Sequence, residues 1–497
     1  MSNRSSIEQF NIENPPNFYK RSSEANSDTC MQDDTIDSND NIIFENEVSS
    51  IDLGMKSKYG VKKAYCGIRG DSELSGILNI VVSAIGGGCF SLPYIMYDGG
   101  IIVSLITFLF VTVCIAYSID LLRSFVVDTK YFSFALMTET ILGPKWLKLY
   151  AVSSFIIYVS MEVSYLSSIY IYIQKIFGFE KILWINIIYF IVSMAIEILI
   201  CIYISKIANM HLLSLISITC FFILFISLIS ISIAANVNNE VGKKFTSKNL
   251  FFPGIDPDTF MNKVSRIISY LMSYVYSYSY HSTFPTFMGN LNVSTQTSTQ
   301  RVHLISFLII FLTYLLTSIF GFIMCDNVPA EIFTKEDKNV YFKGDWEYLI
   351  IPFKIVLCIY LLTLIPIRFI VIRDNYTTLY GEKKMTFIKE LIIITIFIII
   401  CNVFVFGVSI NEIFHLNEIN IKSIIQAFGG MFGVIICFCL PVVNYISVNG
   451  KRKIKSIIGY VIVVFFVIVG IISTVSSILL IIFGNEKKKN NNYYFLI

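Results

Sequence analysis

The stretch NIVVSAIGGGCFSLPY, Asn79–Tyr94, decides how this chain is read. It lies in the first long apolar segment, yet three glycines and a proline interrupt it. In a helix interior glycine costs about 1 kcal/mol and proline about 3 kcal/mol. A helix broken mid-membrane exposes amide donors on one stub and carbonyl acceptors on the other. In lipid such groups are too costly to leave unmet, so the break must line a cavity or be met by a ligand. Gly86, Gly87 and Gly88 leave backbone open to approach, and the positive amino end of the outer half-helix suits a carboxylate. Taken alone, the segment also fits a small-residue packing face with a proline kink.

The surrounding chain is that of a polytopic, all-α membrane protein. Of 497 residues, 55% are hydrophobic and only 15% charged, with a mean hydropathy of +0.69. A formal charge of +3 gives no reason to expect nucleic acid as a partner. The 11 cysteines fall mostly in apolar segments without metal spacing, so they read as small buried hydrophobes, and no metal or cofactor is expected. At about 20 apolar residues per crossing, spans fall near 75–97, 99–123, 148–173, 182–204 and 212–235. A second group falls near 264–288, 302–325, 347–372, 386–409 and 420–447, with a last span near 456–483, eleven in all.

Residues 1–70 are rich in Ser, Asn, Asp and Glu and lack a signal peptide, so they read as a disordered cytosolic tail. With that terminus inside, inner loops hold Arg123, Lys130, Lys145, Lys148, Arg373, Lys383 and Lys384. The 326–347 loop, placed outside, is acidic; the 236–262 loop, also outside, is lysine-bearing. The sequons at Asn292 and Asn375 then lie on inner loops and are expected to stay unglycosylated.

The sixth span, IISYLMSYVYSYSYHSTFPTFMGNL at 267–291, is also interrupted, at His281–Pro285. Broken first and sixth spans each open a run of five, which divides the chain into 73–235, 264–448 and an extra helix at 456–483. Paired interruptions of this kind point to an inverted-repeat transporter with its site at the breaks.

At these residues the sequence resembles the amino acid/auxin permease family. NIVVSAIGGGCFSLPYIMYDGG matches its first helix through Gly86, Gly88, Leu92, Pro93 and Tyr94. YHSTFPTFMGNL resembles the GHxxFP motif of the vacuolar and vesicular branches, with Tyr280 in place of the Gly and Met288 early. Weaker echoes occur at 314–332 and 424–446, and the resemblance covers roughly 73–450. It implies a LeuT-like 5+5 inverted repeat of about eleven transmembrane helices in a plasma, vacuolar or other endomembrane, moving amino acids by alternating access. By carry-over, Gly86, Gly87, Gly88 and Cys89 hold the substrate carboxylate, and Ser279, His281, Ser282 and Thr283 surround its amino group. Sodium-coupled members carry two asparagines in this motif; here Asn79 is kept as an ion-site candidate, but the second position is Val82. Valine offers a hard cation no side-chain oxygen, which favours H+-linked or uncoupled transport over Na+.

Ionisable groups inside spans are expensive and usually functional. Glu162, mid-way along the third span, and His281, at the second break, are the proton-coupling candidates. Glu197 and Lys354 are expected to be structural or to snorkel toward an interface. Of Tyr270, Tyr274, Tyr276, Tyr278 and Tyr280, some are expected to line the cavity. The rival reading is an amino acid sensor that signals through the 1–70 tail without transport. An enzyme is disfavoured, since the four histidines are scattered and no HExxH or GxSxG occurs.

Overall fold

Glycine and proline set the shape of the first span. Ser72 caps α1 (Glu73–Ala84) by accepting from the Ser75 amide at 3.2 Å. Regular helix ends where the glycines begin: Ile85 and Gly86 are extended, and Gly87–Ser91 forms a 3-10 turn. Pro93 then sits in the first turn of α2 (Leu92–Gly99), where no amide donor is needed. The two halves are bent by 50°. This computed structural model describes residues 64–65, 68–69, 72–129, 131–178, 183–207, 210–237, 260–291, 295–324, 350–381, 385–413, 430–450 and 454–489.

The other elements are α3 (Ile101–Thr129), α4 (Phe134–Leu142), α5 (Pro144–Phe177), α6 (Leu183–Ile207) and α7 (Met210–Val237). They continue as α8 (Phe260–Ser277), α9 (Phe284–Gly289), α10 (Gln296–Met324), α11 (Ile350–Leu379) and α12 (Phe387–Ile413). The series closes with α13 (Gly430–Asn449) and α14 (Ile454–Lys489). Among the described residues nine helices are long and apolar enough to cross a bilayer, and the bent α1/α2 pair makes a tenth. The interrupted pair α8/α9 occupies the place of the expected sixth span but does not register as a crossing by length and hydropathy, against the eleven expected. Their outer faces are apolar, with Ile106 and Val113 on α3, Trp184 and Leu199 on α6 and Ile388 on α12 all exposed, as a lipid solvent requires. The protein is an integral, multi-pass membrane protein.

The helices pack in two groups. α5, α6, α11 and α12 contact one another as a scaffold, while α1/α2, α3, α8/α9 and α10 form a bundle. α7 bridges them through α11 on one side and α1 and α10 on the other. Each group thus draws the same ordinal spans from the two runs of five: third and fourth for the scaffold, first and second for the bundle. Because five is odd, the second run enters the membrane from the opposite face, which is the inverted 5+5 arrangement. α13 contains a wide π turn at Ile435–Cys439, and the Cys437 carbonyl accepts a hydrogen bond from the Ser118 hydroxyl of α3.

Several local expectations are corrected. The loop expected after the second span contains α4, nine residues too short to register as a crossing. Arg123 is not on that loop but inside α3, buried and paired with Asp120 at 2.8 Å. Asn375 lies within α11, buried, its amide donating to Ser154 Oγ at 2.6 Å. Glu197 does not snorkel: it is buried, accepting from the Ser193 hydroxyl and from Asn402 Nδ2 at 2.8 Å. Lys354 is buried as well. At the end of the expected tail, Ala64–Tyr65 and Ile68–Arg69 pair as a two-residue antiparallel ribbon. Asn292, residues 1–63 and nearly all of the 236–262 and 326–347 loops lie outside the described residues.

Candidate functional site

The two interruptions meet, and side chains from the second repeat satisfy the backbone they expose. Tyr314 of α10 donates its hydroxyl to the Ala84 carbonyl at 2.6 Å and to the Ser277 carbonyl at 2.7 Å, the last residues of α1 and α8. Tyr360 of α11 donates to the Ile85 carbonyl. These are the acceptors a helix C-terminus leaves open. Across the same gap Thr283 Oγ1 lies 3.2 Å from Ser83 Oγ. A Cβ on Gly88 would stand 3.2 Å from Ser277 Oγ, a tight contact that places the two breaks side by side. In the 3-10 turn the Cys89 amide is already donated to the Gly86 carbonyl at 3.1 Å. That leaves the amides of Gly87 and Gly88 as the donors the turn itself does not use.

A narrow cavity opens beside this junction. Val82 and Ser83 line it from α1, Ser279 and Thr283 from the second break, and Tyr158 and Met161 from α5. Leu364, Ile367 and Arg368 of α11 form the far wall. Helical spacing explains both walls: Tyr158, Met161, Glu162 and Tyr165 make one stripe of α5, and Tyr360, Leu364, Ile367 and Arg368 one stripe of α11. In this conformation the cavity has room for about one water molecule.

Behind the cavity lies a buried ion pair. Arg368 Nη1 is 2.9 Å from Glu162 Oε1, with side-chain exposures of 6% and 1%. Arg368 Nη2 donates to the Tyr165 hydroxyl, and the guanidinium carbon stands 4.2 Å from the centre of the Tyr165 ring. Breaking such a pair by removing one partner typically costs about 3–5 kcal/mol, because the other charge is left buried. Arg368 was not among the sequence candidates. The rule that singled out Glu162 finds it too, since it is an arginine two residues after Pro366 in an apolar span.

The structure gathers some candidates and disperses others. Ser279 and Thr283 face the cavity; Ser279 Oγ donates to the Val275 carbonyl at 3.0 Å and Thr283 Oγ1 lies 2.9 Å from the Tyr280 carbonyl. Gly86 is buried against Tyr165 and Arg368, and Gly88 faces Ser277. Cys89 is fully buried, its thiol among packed apolar side chains. Ser282 faces the Tyr150 and Tyr158 hydroxyls of α5 instead. His281 is buried beside Tyr280 and away from the cavity lining; neither ring nitrogen has hydrogen-bond geometry to a partner among the described residues. Asn79 is buried in α1 with its Oδ1 likewise unpartnered. The tyrosine run does not line the cavity: Tyr270 donates to Asp98 at 2.6 Å, Tyr274 to the Ser104 carbonyl, and Tyr278 bonds Thr112. Among the described residues no three His, Cys, Asp or Glu side chains gather as metal ligands.

Two interrupted helices meeting between a four-helix scaffold and a four-helix bundle define a membrane transporter of the LeuT fold. The chain belongs to the transmembrane amino acid transporter protein family, whose model matches residues 69–483. Among solved structures it is similar to the Eremococcus coleocola manganese transporter in complex with an aromatic bis-isothiourea substituted compound. That match has 11% identity and a TM-score of 0.56, covering 87% of this chain and 92% of that one. A glutamate-to-glutamine mutant of the same transporter matches at 11% identity and TM-score 0.56, covering 85% and 91%. A Na+-coupled sialic acid symporter in a substrate-bound outward-open state matches at 12% identity and TM-score 0.45, covering 84% and 89%. No curated protein matches the sequence. Family and neighbours are transporters rather than enzymes, and the family implies a small-molecule substrate.

Proposed function

We propose that this protein carries amino acids across its membrane by alternating access, binding them where α1/α2 and α8/α9 are interrupted. The observation that carries the reading is the meeting of the two breaks beside a cavity that the end of α1 and the second break line together with scaffold helices α5 and α11. The amides of Gly87 and Gly88 suit a carboxylate, and the hydroxyls of Ser83, Ser279 and Thr283 suit an ammonium group. Gly86 and Cys89 shape the turn that presents those amides; His281 and Ser282 support the second break from behind. With the cavity closed to the size of a water, entry requires separation of the two helix groups, which is the motion alternating access needs.

Transport in this reading is proton-linked or uncoupled. Val82 offers no side-chain oxygen, and the Ala84 and Ile85 carbonyls accept from Tyr314 and Tyr360. A sodium ion seeking carbonyl ligands there would have to displace both hydroxyls. Glu162 and His281 remain the proton-carrying candidates, and Asn79 the one ion-site candidate on α1. The manganese of the structural neighbour does not transfer at 11% identity. The N-terminus is cytosolic, and the membrane is the plasma membrane or an endomembrane. The test is uptake of labelled amino acids into proteoliposomes under imposed pH or sodium gradients. Stimulation by sodium alone overturns the ion reading, and ligand binding without uptake favours a sensor that signals through residues 1–70.

A further inference from the structure

We infer that Arg368 is the group that selects the substrate's free carboxylate, held in position from behind by Glu162 and Tyr165. The inference deepens the proposed amino acid site and rests on it. Arg368 is the charged side chain lining the cavity, whereas Glu162 does not reach the lining. Its guanidinium also lies against the first break, because a Cβ on Gly86 would come within 3.3 Å of Nη2. The fixed positive charge therefore stands beside the glycine turn assigned to the carboxylate.

The packing around the guanidinium gives it one orientation. Glu162 takes Nη1 at 2.9 Å, the Tyr165 hydroxyl takes Nη2, and the Tyr165 ring lies 4.2 Å beneath the central carbon. An arginine has five N–H donors in a planar fork, so donors remain for an acceptor in the cavity. Glu162 neutralises the arginine, leaving the empty pair without net charge, and its Oε2 has no partner among the described residues. Val82, Met161, Leu364 and Ile367 make the rest of the lining largely apolar. The ligand that fits is a neutral α-amino acid: a carboxylate for Arg368 and the glycine turn, an ammonium for the hydroxyls, and an uncharged side chain. A cationic side chain meets the guanidinium, and a carboxamide offers it no negative charge.

The experiment uses the full chain in proteoliposomes. The probe is an equimolar mixture of radiolabelled neutral L-amino acids, competed by the same mixture unlabelled or by the corresponding carboxamides. In the unaltered protein the carboxamides should compete about 10- to 100-fold less well, the loss expected for a hydrogen bond to a charged group. Arg368→Gln combined with Glu162→Gln removes both charges together and leaves no lone buried ion. It should lower the acid-to-amide ratio by about tenfold or more, leaving only the residual preference that the Gly87 and Gly88 amides supply. Arg368→Lys keeps the charge but loses the fork and should give an intermediate ratio; it serves if the double variant does not elute as a folded species. A merely structural arginine would depress both competitors together and leave the ratio unchanged. Uptake with an unchanged ratio in a folded variant overturns this inference and leaves the proposed function standing. Neither uptake nor binding of the mixture by the unaltered protein overturns both.

Discussion

Replacing Tyr314 with Phe removes one hydroxyl and keeps the ring, which stacks edge-on against Tyr278 with centroids 4.9 Å apart. That hydroxyl sits 2.6 Å from the Ala84 carbonyl and 2.7 Å from the Ser277 carbonyl. It carries a single proton, so the two stubs share one donor. A hydrogen bond is worth about 1 kcal/mol net, and a buried acceptor left unmet costs roughly 1–3 kcal/mol. The change should therefore weaken the two interruptions by about 1–3 kcal/mol, a 5- to 150-fold rise in local opening. Hydrogen–deuterium exchange on the full chain in nanodiscs reads this directly. Peptides covering 84–91 and 277–284 should exchange faster by that factor, while peptides from α12 should not change. Tyr360→Phe, which serves only Ile85, should accelerate the first interruption and spare the second. Exchange at both breaks within about threefold of the unaltered protein would refute the reasoning, since threefold is about 0.65 kcal/mol, below the cost of leaving a buried acceptor unmet. Equal acceleration in α12 would refute it too, by pointing to global loosening.

Gly86→Ala and Gly88→Ala should part company. The first drives a methyl into the Tyr165 hydroxyl and should lower stability by about 1–3 kcal/mol, seen as a fall in melting temperature. The second meets Ser277 Oγ at 3.2 Å, so the protein should fold near normally but lose about tenfold in uptake affinity as the methyl crowds the turn's amides. Asn402→Leu removes the Nδ2 donor at 2.8 Å from Glu197 and should cost about 1–3 kcal/mol. Melting should fall without altering which amino acids compete for uptake. Asn375, buried in α11 and bonded to Ser154, should carry no sugar; a shift on glycosidase treatment traced to that residue would contradict the helix assignment.

Both breaks were legible in the sequence because glycine and proline act locally: the residues that end α1 and start α2 carry the reason within themselves. Most of the spans were legible because lipid imposes a length on every crossing; of the eleven expected, the described residues give nine, or ten with the bent α1/α2 pair. What the letters do not carry is which distant side chain meets an exposed carbonyl. Tyr314 and Tyr360 lie 230 and 275 residues from the carbonyls they satisfy, and nothing in their own spans marks them. Lys354 is buried where snorkelling was expected, and for Glu197 the sequence left two roles open, since depth along a helix does not say whether a neighbour such as Asn402 lies opposite. The tyrosine run misled because three of its hydroxyls, on Tyr270, Tyr274 and Tyr278, are taken by Asp98, Ser104 and Thr112 on adjacent helices, and Tyr276 and Tyr280 keep their hydroxyls buried outside the cavity lining. Arg368 was different: its span position made it visible, and only its partner across the scaffold was hidden.

The π turn at Ile435–Cys439 also acts as a phase shifter. A residue added to a helix advances everything beyond it by about 100° around the axis. The portion of α13 before the turn presents Gly433 to Val275 and Ser279, at 3.6 Å from where its Cβ would be. The portion after it packs against α3, α4 and α14. Deleting one residue from Ile435–Cys439 would restore a regular helix and rotate one half against the other, so one of these two faces would be lost. The length of this short run, more than its composition, keeps a single helix in register with two different neighbourhoods.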